Sequence, residues 1–538
     1  MVKLSSYISL LQFFMVYNNE EITEPFWADY PSSASGRDPL AVQNSSVVIY
    51  TKMMVGITNV TNRIRYNGFY CWLLELILQK TKVKGSINEQ IHFIRRAELL
   101  IAYMMVNEFP GVTGVSGSFF AARNLNEHIN LSDGADWESK IAGHELYWTF
   151  KGGVFGQYYS GVVRELGLIN HPSTELNIYT VTSYGKELGN YFGSNLPGGL
   201  RETFWGHILK GKVKSQDLTD LIPFALHQIP ESAEAVFYRK MLLSKDDRSP
   251  EPTFYRKQTI KLLLKSLSGQ AEGVSYLPYL FLKENYKKHI GLRELSKNAA
   301  TAWYIYELNE VLHVTLEHFH ASLLWSIDVY PSPLDEKLDW LVQQTAEALE
   351  DAGHKSSSDS FGDILTFYSD NKDDTYVHFD GMQTAFRDGQ TGICLSEALF
   401  SLACIYCDCQ SHLAEIEELA ILPEYNFNRT GYAVLLFDDL ISGRKELSLV
   451  DYVRAIFQLV INLHVFSSYS KTRVGQSLVH NYFIEDGMIW RARETFPRRT
   501  TPRLQNTVQY MSDVGWISQS ENQLCITELG KTLLKDEL

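Results

Sequence analysis

The chain has 538 residues, of which 45% are hydrophobic and 21% are charged. This balance is typical of folded globular proteins and excludes the fibrous and broadly disordered classes, and the length predicts roughly two to four domains. The net charge of −14 excludes a protein that coats nucleic acid with its whole surface, so any nucleic-acid contact has to be local.

The cysteine content and the apolar runs predict a cytoplasmic protein. Six cysteines in a chain of 538 residues are too few for a disulfide framework and favour a reducing compartment. The short apolar stretch at 10–17 predicts a helix, because no small-residue cleavage site follows it. No window approaches the roughly 18 apolar residues that a membrane span requires.

The N-terminal part begins with a loop rich in Pro, Ser and Gly at 23–46 and continues as helices. Phe69, Trp72 and Leu76 recur at helical spacing, which predicts one buried helix face. The segment just before this face holds two Asn and two Arg near a helix start, which suits an anion or an acidic partner. A buried polar network that stabilises the N-terminal fold explains the same residues equally well. The four candidates are Asn59, Asn62, Arg63 and Arg65.

Residues 150–192 predict a helix, a β-hairpin and a second helix. A helix at 155–166 is ended by Gly167, short strands are expected at 168–169 and 178–182, and a helix resumes at Gly185. Many winged-helix domains end with this order of elements, in which the hairpin forms the wing. We therefore expect a winged-helix unit at about 150–192.

A similar pattern returns at the C-terminus. Thr501 and Pro502 predict a helix start, the helix extends from Arg503 to Met511, and a hairpin and a closing helix follow. The strings RELGLI, YTVT and GKEL of the first region correspond to SDVGWI, LCIT and GKTL of the second. A second winged-helix unit is expected at about 498–535.

The remaining sequence is mostly helical, with its longest helix predicted at 299–327 and a linker at 353–361. The predicted fold class is mainly α and multidomain, with a helical body and two small winged-helix (α+β) units. The expected domains are 1–200, an N-terminal helical domain ending in the first such unit, 201–352, a central helical domain, and 360–538, a C-terminal helical domain ending in the second.

Residues 471–503 form the clearest cluster of charge. They hold seven basic residues against three acidic ones, in a chain that is acidic as a whole. Arginine forks suit phosphate geometry, and the cluster leads into a predicted recognition helix. The alternative is that these side chains pair with acidic groups of this chain or of a partner. The DNA-binding candidates are Lys471, Arg473, Arg491, Arg493, Arg498, Arg499 and Arg503.

No motif predicts catalysis, a cofactor or a metal site. Cys404, Cys407 and Cys409, with His412, have the ligand types of zinc, but they lie on one predicted continuous helix at 396–419 and are expected to be buried hydrophobes. The histidines at 313, 318 and 320 are expected to be structural. The Glu-x-Lys tripeptide in Asp136-Trp-Glu-Ser-Lys140 leaves a cryptic metal-dependent nuclease as an alternative.

The strings DPLAVQ, GITNVTNRIRYNGFYCW, FGQYYSGVVRELGLI and TTPRLQNTVQYMSDVGWI resemble the accessory subunit of Lamassu-type systems, which defend bacteria against phages and plasmids. The resemblance implies partners: an ATPase of the structural-maintenance-of-chromosomes (SMC) type and a nuclease. It implies a non-catalytic scaffold and regulatory subunit that bridges them, with double-stranded DNA as a further expected ligand. The alternative is a free-standing winged-helix DNA-binding regulator.

Overall fold

The structure, a computed structural model, describes residues 38–81, 86–173, 177–243, 254–270, 273–288, 290–370, 375–427, 431–435, 443–473, 479–520 and 523–535. The predicted helix at 10–17 and the side chain of Arg473 lie outside the described residues.

The chain forms two compact units, and each is assembled from stretches that are far apart in sequence. The first unit comprises the described residues of 38–50 and Thr301–Thr500, and the second those of Thr51–Ala300 and 501–535. The domains expected from the sequence are instead three consecutive segments. When a chain is divided into consecutive segments, two stretches that are distant in sequence but fold together cannot be placed in one domain.

Most of the described residues are helical, as predicted. The helices are α1 Asn44–Met53, α2 Arg65–Lys80, α3 Ile87–Glu108, α4 Ser118–Asn124, α5 Leu131–Ala135, α6 Ser160–Glu165, α7 Ser183–Ser194, α8 Leu200–Lys210, α9 Ala233–Leu243, α10 Phe254–Ser268, α11 Leu277–Lys288, α12 Ile290–Ser326, α13 Leu334–Asp351, α14 Phe361–Asp370, α15 Thr375–Arg387, α16 Thr391–Ser411, α17 Leu413–Ala420, α18 Leu449–Arg473, α19 Leu504–Asp513 and α20 Glu528–Lys535. A π-helical turn at Phe155–Tyr159 precedes α6, and 3-10 turns lie at Trp137–Lys140, Ser215–Phe224 and Pro423–Tyr425.

The strands form small antiparallel sheets, in which β1 pairs with β4, β2 with β3, β7 with both β5 and β6, and β8 with β9. The strands are β1 His128–Asn130, β2 Ile169–Asn170, β3 Thr180–Val181, β4 Lys212–Lys214, β5 Ser332–Pro333, β6 Tyr482–Glu485, β7 Met488–Arg491, β8 Ile517–Ser520 and β9 Gln523–Ile526.

Helix α12 is interrupted at Ser296, and its part from 301 onward belongs to the first unit, where every residue from 301 to 324 is buried. A helix that is buried on all sides has to satisfy its polar side chains inside the protein. This confirms the long helix predicted at 299–327, and it places several Glu and His side chains in the interior.

Two helices of the first unit correct the expectation that no part of the chain is apolar enough to span a membrane. In each of α16 and α18, a window of 18 residues is long and apolar enough to cross a membrane. In these two windows, 67% and 44% of the residues are buried, respectively. Core helices of soluble proteins also pass this test, so it is weak evidence for a span. The continuous helix expected at 396–419 also breaks, because α16 ends at Ser411 and α17 begins at Leu413.

The two predicted helix–hairpin–helix regions are both present, and both lie in the second unit. In the first, α6 leads into the hairpin β2–β3 and then α7; in the second, α19 leads into β8–β9 and then α20. These elements confirm the predicted helices and hairpins. They do not by themselves define winged-helix domains.

The two regions share a hydrogen-bond pattern at the point where the hairpin meets the closing helix. Thr182 N donates to Leu168 O at 3.0 Å, and Thr527 N donates to Trp516 O at 3.1 Å. Each threonine hydroxyl then caps the closing helix by accepting from a glycine N–H, Gly185 at 3.0 Å and Gly530 at 3.1 Å. The similarity of the two sequence strings thus corresponds to one local structure that occurs twice.

For the same steric reason, neither of these two glycines can be replaced by a residue with a Cβ atom unless the backbone moves. A Cβ on Gly185 would collide with the carbonyl oxygen of Leu168, and a Cβ on Gly530 with that of Trp516. We therefore expect Gly185→Ala and Gly530→Ala each to lower the free energy of unfolding by about 1–3 kcal/mol, because backbone has to move. The matched control is Gly206→Ala in α8, where no atom lies within 4 Å of the added Cβ; this change is neutral or stabilising. Urea denaturation measures all three, and equal effects at the three glycines would contradict the prediction.

Candidate nucleic-acid interface

Three carboxylates lie buried along one side of α12. Glu307 and Glu310 are fully buried and Glu317 is 3% exposed. Their spacing of three and seven residues places them on one helix face, and His313 lies between them on the same face. Buried carboxylates are costly unless hydrogen bonds or opposite charges compensate them.

The segment that follows β7 supplies the compensating groups. Arg499 forms an ion pair with Glu307, and its Nε lies 3.7 Å from Glu310. Thr500 donates to Glu310 from its backbone N at 2.8 Å and from its hydroxyl at 2.6 Å. Together with Tyr376, which donates to Glu307, these contacts satisfy the carboxylates at the N-terminal end of the face.

Arg498 is bound through its backbone. Its N–H donates to Glu317 at 2.9 Å, and its carbonyl lies 2.9 Å from Nε2 of His313. Five residues earlier, the N–H of Arg493 donates to Asn481 O at 3.0 Å. Residues 493–500, which we call the anchored segment, are thus fixed to the first unit at both ends.

Two buried groups that bind the anchored segment, Glu317 and His313, make the first unit sensitive to pH. Burial raises the pKa of Glu317 to about 7, partly offset by His313. Burial opposes the charging of His313, but Glu310 and Glu317 outweigh it and raise the pKa of the imidazole. The folded state therefore holds protons that the unfolded chain releases, and stability falls as pH rises through these values.

We expect Glu317→Gln to reduce this loss of stability between about pH 4.5 and pH 7. The amide oxygen of Gln still accepts from Arg498 N–H, so the anchored segment is retained while the titrating group is removed. Urea denaturation at several pH values measures the effect. A slope of stability against pH that is equal in wild type and variant would contradict it.

The seven predicted DNA contacts fall into separate groups. Lys471 is 8% exposed and donates to Asp38 O, and Arg499 is bound to the carboxylates of α12. Arg503 begins α19 with a left-handed backbone (φ 62°) and lies 3.4 Å from Met54 O. Arg491 is half-buried and forms an ion pair with Glu494 at 3.1 Å. These four side chains have partners within their own units.

Arg493 and Arg498 differ from the others. Both side chains are exposed, and among the described residues neither has an ion-pair partner. Their backbones are nevertheless fixed, as described above. The structure therefore presents two arginines to solvent from a segment whose backbone is hydrogen-bonded at both ends, and only these two of the predicted candidates remain available for phosphate among the described side chains.

Of the four candidates near the start of α2, Arg63 and Arg65 belong to the buried network that the sequence left open as an alternative. Arg63 lies 2.8 Å from Asp513, and Arg65 lies 3.0 Å from Glu234. Arg65 also donates to Ala225 O at 2.6 Å. Asn59 is exposed and donates to Thr501 O at 2.7 Å, whereas Asn62 is half-buried. The two guanidinium groups are thus occupied inside the second unit.

Three aromatic rings beside the anchored segment were missed by the sequence analysis. The ring of Trp325 lies 4.6 Å from that of Phe386 and 6.3 Å from that of Phe496, measured between centroids. Trp325 is 44% exposed and Phe496 is 48% exposed. No local pattern could reveal this group, because its members come from the end of α12, the end of α15 and the anchored segment.

The remaining chemical candidates have structural partners. Asp136, from the Glu-x-Lys region, accepts from Arg96 at 2.7 and 2.6 Å, while Glu138 and Lys140 are exposed. Cys404 and Cys409 are buried in α16, and the Nδ1 of His412 lies 3.1 Å from the Tyr304 hydroxyl. Within the described parts of the chain, no three His, Cys, Asp or Glu side chains are placed to hold one metal ion.

No family model, curated protein or solved structure matches this chain.

Proposed function

We propose that this protein is a non-catalytic, cytoplasmic subunit of a defence assembly that contacts nucleic acid through the anchored segment. The observation that carries the nucleic-acid contact is the exposure of Arg493 and Arg498, without ion-pair partners among the described residues, in a chain of net charge −14. Two exposed arginines on a fixed backbone, without ion-pair partners among the described residues, are suited to phosphates.

The anchoring contributes to this function. Arginine side chains that project from a rigid backbone lose less conformational entropy on binding than those on a mobile loop. Arg499 and Thr500 hold the backbone to Glu307 and Glu310 and leave the neighbouring Arg498 directed outward. The buried carboxylates of α12 therefore hold in place a segment whose exposed side chains include arginines.

The finer architecture and the partners belong to the same proposal. The repeated helix–hairpin–helix regions are proposed as two winged-helix units, supported by the shared Thr–Gly cap. The proposed partners are an SMC-type ATPase and a nuclease, on the basis of the sequence resemblance alone. In this role the chain bridges its partners and does not itself cut DNA.

A tagged pull-down of the full chain from its native cells, followed by mass spectrometry, tests the subunit role. We expect an ATPase with long coiled coils and a nuclease in fixed ratio to this chain. Recovery of the chain alone, at stoichiometric purity, would overturn the subunit role and favour the free-standing DNA-binding regulator.

A further inference from the structure

The anchored segment lies against exposed aromatic rings, and this combination is specific enough to identify the form of nucleic acid. Trp325, Phe386 and Phe496 form one continuous group of rings, with Trp325 in the middle. The Trp–Phe386 planes are inclined by 39° and the Trp–Phe496 planes by 88°. Each ring is therefore held by its neighbour, while about half of Trp325 and of Phe496 remains open to solvent.

Exposed arginines flank two of these rings in the chain. Arg387 follows Phe386 in sequence and is exposed, and its guanidinium lies 3.3 Å from Thr384 Oγ1. Arg493 and Arg498 lie three residues before and two residues after Phe496. Since a residue spans at most about 3.6 Å of chain, both α-carbons lie within about 11 Å of that of Phe496.

The acidic residues next to these rings in the sequence are fewer or already engaged. Glu494 is bound to Arg491, and Asp328 lies 3.6 Å from Lys337. Asp388, next to Arg387, is exposed. Along these chain segments, three arginines without an ion pair among the described residues outnumber Asp388, and this excess of positive charge complements a phosphate backbone.

We infer that this surface, formed by Trp325, Phe386, Phe496, Arg387, Arg493 and Arg498, binds single-stranded nucleic acid by stacking unpaired bases on the rings. We call it the aromatic–arginine surface. The inference rests on the proposed nucleic-acid contact and specifies its ligand. In a duplex the faces of the bases are stacked on each other, so exposed ring faces have nothing to bind there. Proteins that bind single strands typically stack the bases on aromatic side chains and bind the phosphates with nearby basic residues.

An acidic partner protein is the competing occupant, because Trp, Phe and Arg are also typical of protein interfaces. The single strand is favoured by the arrangement of the charges. Arginines lie before and after Phe496 in the chain, and another directly follows Phe386, which suits a ligand that carries one negative charge for each stacked base.

The test measures binding of fluorescein-labelled thirty-nucleotide oligothymidine and of a thirty-base-pair duplex to the full chain by fluorescence anisotropy. We expect the single strand to bind more tightly than the duplex. Trp325→Ala and Phe496→Ala should each weaken single-strand binding by roughly 10-fold, since a stacked base is lost, and Trp325→Phe should restore most of it. The restoration shows that the ring, and not merely the fold, is responsible.

Trp340→Ala is the matched control. Trp340 is also 44% exposed and lies in the same unit, but it stands on α13 beside Asp335, Glu336 and Asp339. We expect this variant to bind the single strand as wild type does. Equal losses in Trp340→Ala and Trp325→Ala would overturn the inference.

The outcomes separate this inference from the proposed function. Binding that depends on Arg493 and Arg498 but not on Trp325, or that favours the duplex, overturns the single-strand inference and leaves the nucleic-acid contact standing. Binding of neither probe by wild type overturns both. Loss of co-purified protein partners in Trp325→Ala, without any loss of single-strand binding, assigns the surface to a protein and overturns the inference.

Discussion

Arg499→Ala is expected to lower the free energy of unfolding of the first unit by about 3–5 kcal/mol. Glu307 and Glu310 are fully buried, and Arg499 is the cation that lies against both. Removing it takes away the guanidinium that neutralises two buried carboxylates, and loss of one partner of a buried ion pair is among the most destabilising changes that a single substitution makes.

The adjacent residue gives the control. Arg498→Ala removes the same side chain one position earlier, but that side chain is exposed and has no ion-pair partner among the described residues. Its backbone hydrogen bonds to Glu317 and His313 survive the change. We expect a change below about 0.5 kcal/mol.

Hydrogen exchange at the α12 amides measures both variants, because it reports on the first unit and does not require two-state unfolding of the whole chain. Faster exchange throughout α12 is expected in Arg499→Ala only. If the α12 amides exchange at the same rate in the two variants, the different roles assigned to the neighbouring arginines are wrong.

Reversal of charge at Arg493 and Arg498 together should weaken binding to single-stranded DNA by about 100-fold or more at low salt. The double change removes two phosphate contacts and adds two repulsive charges on the same surface. The slope of the logarithm of affinity against the logarithm of salt concentration should also decrease in magnitude by about 1.4. The reason is that binding displaces fewer counterions from the single strand when two phosphate contacts are lost.

The control for this prediction is Lys210→Glu combined with Lys214→Glu. Both lysines are exposed in the second unit, so the variant changes the net charge equally without altering the anchored segment. Anisotropy titrations at several salt concentrations should find a small loss for this pair. A loss as large as that of the arginine pair would show that only net charge matters.

Local features of the sequence predicted the elements of the fold well. The helix at Leu504–Asp513 and the hairpins at both repeated regions follow from apolar periodicity, turn residues and caps, all of which act within a few residues. The recurrence of the Thr–Gly cap was visible in the sequence as the strings YTVT–GKEL and LCIT–GKTL.

The roles of the individual arginines could not be predicted in this way. Arg498 and Arg499 are neighbours of identical chemistry, and what distinguishes them is the position of Glu307 and Glu310, about 190 residues earlier in the chain. The same limitation applies to Arg63, whose partner Asp513 is 450 residues distant. Long-range pairing also explains why neither unit is a continuous segment of sequence.

Photo-crosslinking tests the central claim most directly. Single-stranded DNA containing 5-bromodeoxyuridine is irradiated with the wild-type chain, and the crosslinked peptides are identified by mass spectrometry. We predict crosslinks at Trp325 and Phe496, lost in competition with unlabelled single strand and absent after reversal of charge at Arg493 and Arg498. Crosslinks confined to the helix–hairpin–helix regions of the second unit, or none at all, would contradict the assignment of the aromatic–arginine surface as the nucleic-acid contact.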